Sequence, residues 1–215
     1  SLIPKKGTVY VVDDDEAVRD SLQWLLEGKD YRVKCFDSSE SFLSRFDPRE
    51  VACLIADIRM EGMSGLELQD RLLERKSPLP IVFITGHGDI PASVRAIKAG
   101  AVDFLTKPFI EADLMRAIHA AIALDRDARQ KGAELAGLRQ RLYSLTPRER
   151  DVFPLIVSGL LNKQAAAELN ISEVTIQIHR GKIMKKMGAK SLAELVRMAA
   201  VLEIPMTRSR RTQLE

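Results

Sequence analysis

Four short apolar runs in the first half of this 215-residue chain end in groups suited to phosphoryl chemistry. Val9-Tyr10-Val11-Val12 runs into Asp13-Asp14-Asp15, and Cys53-Leu54-Ile55-Ala56 into Asp57. Ile81-Val82-Phe83-Ile84 runs into Thr85, and Val102-Asp103-Phe104-Leu105 into Thr106-Lys107-Pro108. Each feature alone has a plain explanation: a solvated turn capping a helix, a strand end, a surface lysine. Together they supply a carboxylate nucleophile, further carboxylates able to hold a divalent cation, a hydroxyl and an ammonium. A carboxylate can take a phosphoryl group once the charge around it is neutralised. Asp13 or Asp14 beside Asp57 would repel it unless a cation lay between them, and Mg²⁺ accepts carboxylates, a backbone carbonyl and waters in an octahedron. Lys107 would meet phosphoryl oxygens as a point charge, and the Thr85 hydroxyl would hydrogen-bond the phosphate once formed.

These residues meet only if the runs are neighbouring parallel strands, because the C-terminal strand ends of such a sheet share one rim. The pattern predicts strands over 8–12, 31–36, 52–57, 79–85 and 102–105. Helices are expected over 16–27, 39–46, 65–75, 91–99 and 111–124, with Pro91 in a first turn and Gly100 at a helix end. Five βα units in this length fit an α/β flavodoxin-like domain, a five-stranded parallel sheet of order 2-1-3-4-5. The expected domain spans residues 1–123.

Residues 124–143 read as a polar helical linker carrying one apolar stripe of Leu135, Leu138 and Leu142, weakened by Gly132 and Gly137. From 144 to 215 the chain reads as a small all-α domain of four helices ending in a basic tail. Thr146-Pro147-Arg148-Glu149 is a capping box opening a helix to Ser158, inside which Pro154 is expected to kink or shorten it. Asn162 is expected to cap a helix over 163–169, Asn170-Ile171 to turn, and Ser172 to cap a third helix to Met187, ended by Gly188. Ser191-Leu192-Ala193-Glu194 opens a fourth helix to Leu202. In the third, Ile176, Ile183, Met184 and Met187 form a buried face; Thr175, Gln177, His179, Arg180, Lys182, Lys185 and Lys186 surround it. An amphipathic helix of this kind behind a short helix and tight turn is how a helix-turn-helix enters a major groove.

Charge supports two domains. Residues 1–124 carry 16 basic and 20 acidic side chains, a net of −4, whereas residues 125–215 carry 17 and 10, a net of +7. The basic half is the one expected to meet a polyanion, double-stranded DNA. Cys35 and Cys53 lie among apolar neighbours without metal-ligand spacing, as core residues of a reducing compartment do. No membrane-length apolar stretch or signal-like segment is visible, and a cytoplasmic location with no membrane contact is expected.

Residues 8–122 resemble the receiver domain of two-component response regulators, and Ile84-Thr85-Gly86-His87-Gly88-Asp89-Ile90-Pro91 resembles its FixJ branch. The resemblance implies Asp57 as phosphoacceptor, Asp13, Asp14, Asp57 and the Arg59 backbone carbonyl around Mg²⁺, and Lys107 as phosphate contact. It also implies Thr85 and Phe104 as the switch pair and a cis peptide before Pro108. Residues 144–203 resemble the LuxR/NarL/FixJ effector domain through Leu145-Thr146-Pro147-Arg148-Glu149-Arg150, Gly159-Leu160-Leu161-Asn162-Lys163 and Val174-Thr175-Ile176-Gln177-Ile178-His179. That resemblance implies base contacts from Gln177, Ile178 and the Gly181 position, and phosphate contacts from Thr175, His179, Lys182 and Lys185. The last helix would pair two protomers.

Two departures stand out: Glu61 replaces the usual proline after Arg59-Met60, and Gly181 a bulkier residue. His87, without a second histidine at ligand spacing, reads as a loop residue. The resulting expectation is a phosphorylation-dependent transcriptional regulator of the FixJ type, not a turnover enzyme and slow to dephosphorylate itself. Its partners would be a sensor histidine kinase, promoter DNA and, on activation, a second copy, with RNA polymerase a further contact the reading admits. Two rivals remain: an aspartyl-phosphate phosphohydrolase using Asp13 and Asp15, and a constitutive DNA binder with a vestigial receiver.

Overall fold

A computed structural model describes residues 6–86 and 90–206. The His87 reading and most of the basic tail therefore lie outside the described residues. Two compact units divide at Gln130/Lys131.

The first unit alternates β1 (Thr8–Val12), α1 (Glu16–Glu27), β2 (Arg32–Phe36), α2 (Ser39–Arg45), β3 (Ala52–Asp57), α3 (Gly65–Glu74), β4 (Ile81–Thr85), α4 (Ile90–Lys98), β5 (Asp103–Thr106) and the part of α5 (Glu111–Tyr143) up to Gln130. The strands form one parallel sheet of order β2-β1-β3-β4-β5, as the run spacing predicts. Side chains of the central strands alternate between two cores. Tyr10, Leu54, Ala56 and Phe83 face α2, α3 and α4, while Val9, Val11, Cys53, Ile55 and Ile84 face α1 and α5. Burial on both faces explains why the strands read as continuous apolar runs. Expected edges shift where backbone chemistry decides. β4 starts at Ile81 because Pro80 has no N–H for the ladder, although its carbonyl accepts from Leu54 N at 2.9 Å. Cys53 is fully buried, but Cys35 is only half-buried because β2 is an edge strand.

Helix α5 runs unbroken for 33 residues, joining the helix expected over 111–124 to the polar helical stretch expected after it. Asp125 explains how its middle is held. This carboxylate is completely buried, its Oδ2 accepting from Ala52 N at 2.9 Å and from Arg129 Nε at 2.7 Å. Arg129 Nη2 donates to Pro48 O, and Arg126 Nη2 to Lys6 O. Part of the stretch read as linker is thus bonded to the N-terminal ends of β1 and β3. Asp125→Asn removes a charged acceptor from this network and should cost about 2 kcal/mol. Hydrogen exchange should find the Ala52 amide deprotected more than those of β5.

The second unit contains α6 (Pro147–Val157), α7 (Asn162–Leu169), α8 (Glu173–Met187) and α9 (Leu192–Val201) around a core of Val152, Phe153, Ile176, Ile183, Met187 and Leu195. The Thr146/Glu149 capping box forms as read. Pro154 does not break α6: it sits in the last turn, three residues before the helix ends at Val157, and its carbonyl accepts from Ser158 N and Oγ. The proline only leaves the Arg150 carbonyl without its helical donor. Asn162 is the first helical residue rather than the cap. Leu161 holds that position, and its N–H is satisfied by Gln164 Oε1 at 2.8 Å. Among the described residues, no helix is long and apolar enough to cross a membrane.

Candidate phosphoryl-acceptor site and nucleic-acid interface

The register of β1 on β3 pairs Val12 with Ala56, so the next residue of each strand, Asp13 and Asp57, emerges side by side. Asp13 is completely buried and Asp57 nearly so, while Asp14 is exposed. Carboxylate oxygens of all three lie within 4.8 Å of one another. Lys107, two strands away, reaches back between them: its Nζ donates to Asp13 Oδ2 at 3.0 Å and to Asp57 Oδ2 at 2.9 Å. Its own N–H donates to Thr85 O at 2.7 Å, and the Lys107–Pro108 peptide is cis as the resemblance implies.

Backbone donors fix the acids. Asp15 N donates to Asp13 Oδ1 and Arg59 N to Asp57 Oδ1, each in a two-residue Asx turn. Arg19 Nη1 donates to the Asp13 and Asp14 carbonyls. Glu61 N donates to Asp14 Oδ2 at 3.2 Å, a bond that a proline at this position could not make. The β3–α3 loop is held from the other side by α2: Met63 N donates to Glu40 Oε1, and the buried Ser39 hydroxyl donates to Met63 O. Neither α2 contact is read from the sequence, where Ser39 and Glu40 lie 24 and 23 positions from Met63.

Burial pushes the Asp13 carboxyl above its ordinary range, against the pull of the Asp15 N–H and the Lys107 ammonium. Burial pulls Lys107 down, but its hydrogen bonds to Asp57 and Asp13 outweigh that and leave it raised. Three carboxylates against one ammonium leave an excess of two negative charges when all are ionised. Hard, anionic oxygen donors at this spacing fit a divalent cation such as Mg²⁺.

Thr85 is buried at the end of β4, one residue beyond Ile84, the β4 partner of Asp57. Phe104, half-buried on β5, pairs in register with Phe83 and packs on the core that Phe83 enters, the face of β4 to which Thr85 also belongs. The rival pairing of Asp13 with Asp15 gains no support. Asp15 is exposed and its Oδ1 accepts from Ala17 N, capping α1.

In the second unit, α7, a left-handed turn at Asn170 (φ 53°) and α8 form the helix-turn-helix. Ser172 caps α8, and its hydroxyl lies 2.8 Å from that of Thr175. Gln177, Ile178, Gly181, Lys182 and Lys185 are exposed, while Thr175 and His179 are half-buried. His179 Nδ1 is buried and has no hydrogen-bond partner. Lys186, read as one more basic residue on the helix, is engaged elsewhere. Its Nζ donates to the buried Glu149 Oε2 at 2.7 Å and to Ser144 O at 3.2 Å, clamping α8 to the start of α6.

Burial pushes the Glu149 carboxyl up, but Lys186 and the Thr146 N–H pull it further down, so its net position is below the ordinary glutamate value. Its contribution is then full above the unfolded pKa and is lost as pH falls through the lower, folded one. Lys186→Met strands this carboxylate and should cost about 3 kcal/mol. Denaturant titrations of the helical signal should show the loss at neutral pH, and a shallower acid decline than in the parent.

Comparison with known proteins agrees with this geometry. Residues 9–119 match the response regulator receiver domain, and residues 143–199 match the bacterial regulatory proteins of the luxR family. Nodulation protein W of Bradyrhizobium diazoefficiens is 44% identical over 97% of this chain and 92% of its own length. Transcriptional regulatory protein FixJ of the same organism is 44% identical over 90% of this chain and 95% of its own. The solved structure of the response regulator StyR matches 90% of this chain and 98% of its own, at 48% identity and TM-score 0.83.

Proposed function

This chain belongs to the response regulators of two-component systems, a receiver domain joined to a LuxR-type DNA-binding domain in the FixJ manner, and on that premise we propose that Asp57 is its phosphoacceptor. The observation that carries the proposal is the Lys107 ammonium bridging Asp13 and Asp57 at 3.0 and 2.9 Å inside the acidic cluster. In the transfer, the phosphorus–nitrogen bond of a phosphohistidine on the sensor kinase breaks as a bond forms from phosphorus to an Asp57 oxygen. Asp13, Asp14, Asp57 and the Arg59 carbonyl would hold Mg²⁺, which supplies charge neutralisation for the incoming phosphoryl oxygens. Lys107 moves from balancing the carboxylates to contacting the phosphoryl group, and the Thr85 hydroxyl takes a second oxygen. Inward movement of Thr85 draws Phe104 with it, altering the β4–β5 surface. In this reading the aspartyl phosphate is a signal that decays slowly, and the chain is not a turnover enzyme.

The altered receiver releases or dimerises the DNA-binding unit, whose dimers span half-sites about ten base pairs apart. Gln177, Ile178 and Gly181 face bases; Thr175, His179, Lys182 and Lys185 face phosphates. The receiver takes in α5 as far as Arg129, the linker reaches Tyr143, and the DNA-binding unit follows from residue 144. A cytoplasmic protein with access to RNA polymerase fits this role. Footprinting of the full chain on genomic fragments tests the reading. Protection should appear or strengthen at least tenfold with a small phosphodonor and Mg²⁺. Equal protection with and without both would favour the constitutive DNA binder.

A further inference from the structure

On α8 the core side is set by Ile176, Ile183 and Met187, all completely buried. Val174, Ile178, Gly181 and Lys185, spaced by four, three and four residues, lie on the opposite side of the helix. Val174 is 66% exposed and Ile178 is 53% exposed, two large apolar side chains adjacent along the outward stripe. Exposed Gln177, Lys182 and Lys185 border them. At Gly181 an added Cβ would meet nothing within 4 Å, so packing within the domain does not require glycine there. The stripe is thus short-chained and apolar at its start, bare at its middle, and cationic at its end.

Resting on the DNA-binding reading above, we infer that Val174 and Ile178 form a reading strip that selects thymine by its C5 methyl group in the major groove. Of the four bases only thymine presents a methyl group to the major groove, and apolar side chains discriminate by contact with that methyl. Valine and isoleucine reach only a short distance, so the helix backbone must approach the bases closely. Gly181 permits that approach one turn further on, where a long side chain would hold the helix away. Gln177, beside the strip, is matched to adenine, which accepts and donates to one amide. Together these residues specify a step in which thymines meet Val174 and Ile178 next to an adenine read by Gln177. The basic border favours nucleic acid over a protein surface as occupant, since the strip is flanked by Lys182 and Lys185 and not by an apolar patch.

The experiment uses the full chain with phosphodonor and Mg²⁺. A random-sequence duplex pool yields the preferred site, and each thymine in it is then replaced by deoxyuridine, which removes only the methyl. Affinity should fall about fourfold for each methyl in contact, the transfer contribution of one buried carbon. Val174→Ala and Ile178→Ala, both at exposed positions, should each bind the thymine and uracil duplexes alike at one position. Uracil duplexes that bind as tightly as thymine duplexes throughout the site would overturn the inference while leaving DNA recognition standing. Failure of the pool to enrich any sequence would overturn both. If the alanine variants changed self-association without DNA and left DNA affinity untouched, the strip would be a protein surface and the inference would fall.

Discussion

Gly65→Ala is expected to cut phosphoryl capture at least tenfold although it replaces no group that handles the phosphoryl. A Cβ built at Gly65 would lie 2.3 Å from the Asp57 carbonyl oxygen and 3.1 Å from Ile58 Cα. These are backbone atoms, so no side chain can swing aside. Gly65 N also donates to Ile58 O at 3.0 Å, which fixes the start of α3 against the end of β3. Relief of the clash must either lift α3 away or push Asp57 out of line with Asp13. Overpacking of this kind costs about 3 kcal/mol. It acts on the segment whose position decides whether Asp57 meets Lys107. The expected result is a lowered unfolding midpoint for the first unit together with labelling by a small phosphodonor reduced at least tenfold. A Gly65→Ala protein with parental labelling would mean that the β3–α3 junction can yield without moving the acceptor.

Much of this arrangement was legible in the residues because parallel strands are buried on both faces and so announce themselves as unbroken apolar runs. Once β1 and β3 are neighbours, Asp13 and Asp57 follow from counting along the register. Capping chemistry placed Thr146, Ser172 and Ser191 for the same local reason: each accepts from the amide three residues on. Long-range polar contacts were not legible. Nothing in the spacing of Asp125 and Ala52, 73 positions apart, distinguishes a buried carboxylate from a solvated one on a polar helix. Lys186 looked like its exposed neighbours Lys182 and Lys185 because its partner, Glu149, had already been assigned to a capping box. That glutamate does both. Pro154 misled in the other direction: its cost depends on position within the helix, and three residues before the end only one carbonyl is orphaned.

The departure from the family pattern at Glu61 acts through the backbone as well as the side chain. Sequence comparison registers a lost proline and an added charge. The geometry adds that the Glu61 amide donates to Asp14, one of the three clustered carboxylates. The loop therefore contributes a backbone donor to the acidic cluster in addition to any effect of its side chain.

The central claim is that a single carboxylate, Asp57, receives the phosphoryl group in a pocket completed by Asp13, Asp14 and Lys107. Asp57→Asn keeps the size of the side chain and an oxygen for the Arg59 N–H, so the fold should survive, but it removes the nucleophile. The most direct test is intact-protein mass measurement of parent and variant after incubation with a small phosphodonor and Mg²⁺. The parent should gain one acid-stable, base-labile phosphoryl group, lost from the reaction when Mg²⁺ is chelated, and Asp57→Asn should gain none. A natively folded Asp57→Asn protein that takes up phosphoryl as fully as the parent would contradict the account.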